Sequence, residues 1–96
     1  MYAALTTLNL GPNMRSAGEK TADQFFSAVK NMKGFKGATF FGDIEAGSYN
    51  TLVLWESKED AEAAFSILGP KTQQALGNSL KAPPTRGIFE VYQPKG

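Results

Sequence analysis

Residues 51–65 read TLVLWESKEDAEAAF. Thr51-Leu52-Val53-Leu54-Trp55 is a β-type run almost free of polar residues, and it stops at Glu56-Ser57. Ser57 and Asp60 stand at the spacing of a helix N-cap and its reciprocal partner. Ala61, Ala64, Phe65 and Leu68 then recur at helical intervals. Successive strand side chains point to opposite faces, so Val53 and Trp55 share one face and Leu52 and Leu54 the other. A small antiparallel sheet with one wet face alternates apolar with polar residues instead. This strand needs cover on both sides, and the chain has too few helices to supply it. A second copy of the protein is the expected missing layer.

Working outward, residues 2–10 (YAALTTLNL) form a first strand that ends at the Gly11-Pro12 turn signal. Ser16 and Glu19 repeat the capping spacing, and Ala22, Phe25, Phe26, Val29 and Met32 make one apolar helical stripe that stops at Gly34. Residues 37–45 read as strand two, Ala46-Gly47-Ser48 as a hairpin turn, and residues 49–56 as strand three. The second helix is expected to end near Leu68-Gly69, with Pro70 opening a separate helical piece over residues 71–80. An extended linker (81–84) leads to strand four over residues 85–93. The order β-α-β-β-α-β over residues 1–96 predicts one α+β domain of the ferredoxin-like type: a four-stranded antiparallel sheet with two helices on one face. The pairs Phe40/Phe41, Leu52/Leu54, Ile88/Phe89 and Val91/Tyr92 put large apolar groups on both faces of three strands, more than a monomer usually exposes.

Composition narrows the function. The chain is 42% hydrophobic and 20% charged, with ten Lys+Arg against nine Asp+Glu and a formal charge of +1. That is ordinary for a folded domain and offers no footprint for nucleic acid or an anionic membrane. No cysteine and no histidine is present, which removes disulfides, thiol nucleophiles and the commonest metal ligand and neutral-pH base. No metal-ligand spacing or phosphate-cradling glycine loop occurs, so no cofactor and no metal is expected. The first residues lack the basic region and apolar core of a secretory signal, no apolar run reaches the ~20 residues of a membrane span, and a cytoplasmic location is the expectation.

The junction LVLWESKEDAEAAF resembles the antibiotic biosynthesis monooxygenase-like family of dimeric α+β barrels, in which a Trp-acidic-Ser step leads into an Ala/Phe-rich helix. The Gly34-Phe35-Lys36-Gly37 entry to strand two is similar as well. The resemblance implies a homodimer packed sheet to sheet, with a pocket between helices and sheet in each subunit. It further implies that some members oxidise phenolic or quinol compounds with oxygen and without metal or flavin. A haem-degrading branch pairs a helix-borne His with an Asn on strand one and a Trp on strand three. Trp55 matches the last, Asn9 or Thr6 falls at the second, and the His has no counterpart here, so haem turnover is not expected.

The reading that follows is a cofactor-independent monooxygenase for a small aromatic ligand. The alternative is a non-catalytic dimeric binding or regulatory protein. Trp55, Asn9 and Tyr92 are the expected catalytic residues, by orienting the substrate and steadying its anion. Trp55, Phe26, Phe65 and Arg86 are the expected substrate-binding set. Each has a structural counter-reading. Trp55 also reads as a core anchor, and Asn9 and Asn50 as strand-end amides. Arg86 and Glu90 also read as an ion pair on the face they share with Tyr92. Asp43 and Glu45 lie too near a turn to be strong candidates for a base.

Overall fold

The computed structural model describes residues 1–95. Its elements run β1 (Tyr2–Asn9), α1 (Arg15–Val29), β2 (Phe35–Asp43), β3 (Ser48–Trp55), α2 (Lys58–Leu76), a 3₁₀ turn (Gly77–Ser79) and β4 (Thr85–Glu90). The strands form one antiparallel sheet in the order β2-β3-β1-β4. The two adjacent central strands, β1 and β3, are not consecutive in the chain, as the split βαβ unit requires.

Register assigns the faces. β1 pairs with β3 so that Ala4 lies opposite Val53 and Leu8 opposite Tyr49. Ala4, Val53 and Trp55 are buried with Val29 of α1 and with Ala61, Ala64 and Leu68 of α2. Both helices therefore cover this one face. Trp55 is 1% exposed and is the largest fully buried side chain. Its ring meets Phe35 edge-on at 6.1 Å, and Phe35 meets Phe26 in the same way at 6.1 Å. Such edge-to-face pairs contribute beyond the area they bury. A second, smaller cluster joins Leu8, Leu10 and Leu76. The opposite face carries Leu5, Leu52 and Leu54 together with the exposed rings of Phe41 and Phe89.

Several boundaries differ from those the sequence predicts. Ser57 does cap α2, its Oγ accepting from the Asp60 N–H at 3.1 Å. The matching Ser16–Glu19 spacing caps nothing: α1 starts two residues earlier, with Met14 at its N-cap and no side-chain bond there. Met14 packs against the Leu8-Leu10-Leu76 cluster, which sets the helix entry by burial instead. α1 ends at Val29, and Met32 lies in the following turn, where its N–H donates to the Val29 carbonyl at 2.9 Å. α2 runs unbroken through Pro70. Gly69, having no Cβ for the proline ring to strike, stays helical ahead of it, and the lost N–H costs one bond rather than the helix. β4 closes at Glu90, so Tyr92 lies beyond the strand, outside the face that Arg86 and Glu90 share with Ile88. Among the described residues the ion pair within 4 Å joins Arg15 to Glu19 rather than Arg86 to Glu90.

Truncating Trp55 to Ala is expected to cost roughly 3–5 kcal/mol, the range for a large buried ring. Ser57→Ala is expected to cost about 1 kcal/mol through the lost cap. Urea unfolding at one fixed protein concentration measures both.

Candidate functional site: a hydroxyl-crossed cavity beneath the first helix

On the helix-covered face the sheet register aligns one transverse row of side chains. Phe40 lies opposite Thr51, Thr51 opposite Thr6, and Thr6 opposite Arg86. The row on one side (Ala38, Val53, Ala4, Ile88) belongs to the large core cluster or packs against it. On the other side, Leu8 is in the small cluster and Tyr49 packs against it. Two threonines at the centre of the sheet thus separate the two clusters. Short hydroxylated side chains neither fill the space of a Leu nor share its apolar packing, and a cavity of about 50 Å³ lies over them.

α1 supplies its roof. Gly18, Thr21, Ala22 and Phe25 lie on one helical face and line the cavity, joined by Thr72 from α2. Phe25 meets Phe40 edge-on, centroids 6.1 Å apart at 84°, closing one wall. Thr21 donates its Oγ1 hydrogen to the Ala17 carbonyl at 2.8 Å, which leaves its oxygen to the cavity only as an acceptor. A groove of about 240 Å³ between α1 and α2 adjoins the cavity through Thr21, Phe25 and Thr72, with Gln24 and Lys71 on its lip.

Tyr49 is the most informative residue of the site. Its hydroxyl is buried and has no hydrogen-bond partner among the described residues. Most buried polar side-chain atoms are satisfied, and leaving one unpaired costs about 1–3 kcal/mol. The ring is held in place by α1: a Cβ on Gly18 would lie 2.5 Å from Tyr49 Cε1. Gly18 is buried inside the helix, so the close approach of ring and backbone depends on its lack of a side chain.

The structure scatters the residues singled out by sequence. Trp55 is closed in the large core cluster with Phe65 packed against it, and Phe26 is 41% exposed against Phe35. None of the three lines the cavity. Asn9 alternates onto the uncovered face, is exposed, and its Oδ1 accepts from the Gly11 N–H at 3.2 Å in a turn. Tyr92 is 77% exposed past the end of β4. Arg86 stands beside Thr6 in the transverse row, exposed, its guanidinium lying along Gly69 of α2. Asn50 accepts from Thr7 Oγ1 at 2.7 Å on the uncovered face, and Asp43 accepts from the Ala46 N–H in the hairpin turn. Of the two strand-one positions, Thr6 reaches the cavity and Asn9 does not. Tyr49, Thr51 and Phe25 went unselected, although strand parity puts Tyr49 and Thr51 on the Trp55 face. Among the described residues no three Asp, Glu, His or Cys side chains cluster as metal ligands. No helix there is long and apolar enough to cross a membrane.

No protein-family model matches the sequence, and no curated protein matches it. Solved structures do. A protein from Deinococcus radiodurans assigned as an antibiotic biosynthesis monooxygenase superposes with a TM-score of 0.81 at 12% identity, covering 100% of this chain and 97% of that one. The monooxygenase from the ActVA-Orf6 gene of Streptomyces coelicolor, solved with nanaomycin D, gives 0.74 at 18% identity over 98% and 92%. SnoaB of Streptomyces nogalater, a cofactor-independent oxygenase solved as a mutant, gives 0.75 at 14% over 97% and 94%. The chain is antibiotic biosynthesis monooxygenase-like in fold, a ferredoxin-like α+β arrangement.

Gly18→Ala is expected to destabilise the protein by roughly 1–3 kcal/mol through overpacking against the Tyr49 ring. Most of that cost should vanish in a Tyr49→Leu background, because the two positions share one contact. A thermodynamic cycle by denaturant unfolding reads the coupling.

Proposed function

We propose that the chain is a cofactor-independent monooxygenase acting on a small phenol- or quinol-like aromatic held in the cavity under α1. The observation that carries this reading is an aromatic-walled cavity crossed by hydroxyl groups, in a fold shared with a named cofactor-independent oxygenase. Phe25 and Phe40 together form one wall against the substrate ring. Thr6, Thr51 and Tyr49 offer hydroxyls to its phenolic oxygen and steady the anion that forms when the proton leaves. The cavity walls exclude water from the reacting carbon. The supporting residues are these cavity-lining ones rather than Trp55, Asn9 and Tyr92.

The chemistry belongs to the substrate. The phenolic proton leaves to solvent through the adjoining groove. The phenolate passes one electron to oxygen, the resulting radicals join to make a carbon–oxygen bond, and the peroxide takes a proton back from solvent to become a hydroperoxide. Loss of the ring C–H proton then breaks the O–O bond and releases water, leaving a carbonyl. One phenol and one O₂ give one quinone and one water. The ring supplies four electrons, one oxygen atom stays on carbon and the other leaves in water.

The lining is hydroxyl and hydrocarbon, without a carboxylate among the described residues. That composition also favours a second reading, a dimeric small-molecule binding or regulatory protein with the same pocket. Oxygen consumption with a panel of hydroquinones and naphthols separates the two. The first reading expects turnover that disappears in Ala22→Trp, whose indole fills the cavity. Ligand binding without oxygen uptake supports the second.

In either reading the protein works as a cytoplasmic homodimer with its uncovered sheet faces together. Phe41 and Phe89 are 51% and 55% exposed there, beside Leu5, Leu52 and Leu54, and patches of this kind mark interaction sites. Sedimentation should give a dimer at micromolar concentration and a monomer for the Phe41→Arg/Phe89→Arg variant. A wild-type monomer would contradict the dimer.

A further inference from the structure

We propose that Tyr49 is the residue by which the cavity selects its ligand, and that the ligand is an uncharged aromatic with one oxygen directed at the Tyr49 hydroxyl. The inference rests on the cavity being a ligand site. Three observations carry it. The Tyr49 hydroxyl is buried without a partner among the described residues, so a group from outside the chain completes it. The ring packs directly against the Gly18 backbone of α1, which bars it from moving further toward that helix. The remaining lining is four threonines and apolar groups, with no Asp, Glu, Lys or Arg among the described residues.

Each observation limits the ligand. A charge carried into the cavity on binding would lose its hydration, and Lys71 stands out on the lip of the adjoining groove, so the end of the ligand that meets Tyr49 enters uncharged and a phenolate forms there only after binding. Phe25 and Phe40, paired edge to face, both line the cavity and give it an aromatic wall, a setting for an aromatic ring. The cavity of about 50 Å³ is smaller than the ~150 Å³ cavity that holds benzene in the handiest comparison, an engineered apolar one, so the ring extends into the adjoining groove. A phenolic oxygen can both accept from Tyr49 and donate to it. An ordered water can take the same place in the free protein, and a ligand oxygen displaces it while keeping its bond.

The test titrates phenol, benzene and benzoate into wild type and Tyr49→Phe, followed by heteronuclear NMR. A purely apolar cavity prefers benzene, because phenol gives up its hydration on entering. Wild type is expected to prefer phenol. Tyr49→Phe should weaken phenol about tenfold, the scale of one buried hydrogen bond, and leave benzene within twofold. Benzoate should not displace phenol from wild type. The Phe variant keeps the ring under Gly18 and is expected to fold as the wild type does. Should the variant fail to fold, the wild-type order of phenol over benzene decides alone. Equal phenol affinity in both proteins, benzene preferred by wild type, or displacement by benzoate overturns the selection by Tyr49 while leaving the cavity as a binding site. No binding of either neutral ring overturns both.

Discussion

The register that sets Thr6 of β1 opposite Thr51 of β3 is the constraint on which the site depends. The two strands lie at the centre of the sheet, and side chains alternate strictly along each. A slip of one residue would exchange the two faces. For a slip of β3, Leu52 and Leu54 would then meet the helices, and Trp55 and Val53 would lose their cover. Burying Trp55 and Val53 beneath Ala61, Ala64 and Leu68 therefore fixes the register. The same register delivers two hydroxyls to the one row where the core is interrupted. Stability and site geometry come from a single alignment.

That interruption is a departure from good packing. A Val or Leu at Thr6 and Thr51 would continue the core, whereas Gly18 leaves no room for a side chain against the Tyr49 ring. The chain instead places small or hydroxylated residues at all three points around a buried, unpartnered tyrosine hydroxyl. Sequences tend to break the rules of packing and polar satisfaction at functional positions. Here the breaks converge on one cavity.

The fold was legible because its signals are periodic. The two-faced run from Thr51 to Trp55, the Ser57 cap and the stripe in α1 each identify an element, and their order leaves one sheet topology. Boundaries were less legible where tertiary contacts override local chemistry. Met14 enters the helix by packing rather than by the Ser16 cap, and Gly69 lets α2 pass through Pro70. The site was harder to read. Phe25 and Phe26 match the apolar stripe equally well, yet a 100° step along the helix sends one to the cavity and the other to Phe35. Asn9 and Thr6 both lie on β1, and only the parity relative to Leu8 separates them. Tyr49 gains its interest from a missing partner, and a missing partner is a property of three-dimensional packing that no spacing encodes.

The central claim is that an aromatic ligand sits between α1 and the threonine row. The most direct measurement is the set of intermolecular NOEs from a bound phenol to the methyl groups of an isotope-labelled sample. A ligand in the cavity gives contacts to the methyls of Thr6, Thr51 and Ala22. Contacts confined to the methyls of Leu5, Leu52 and Leu54 on the uncovered face, with none to Thr6 or Thr51, would contradict it.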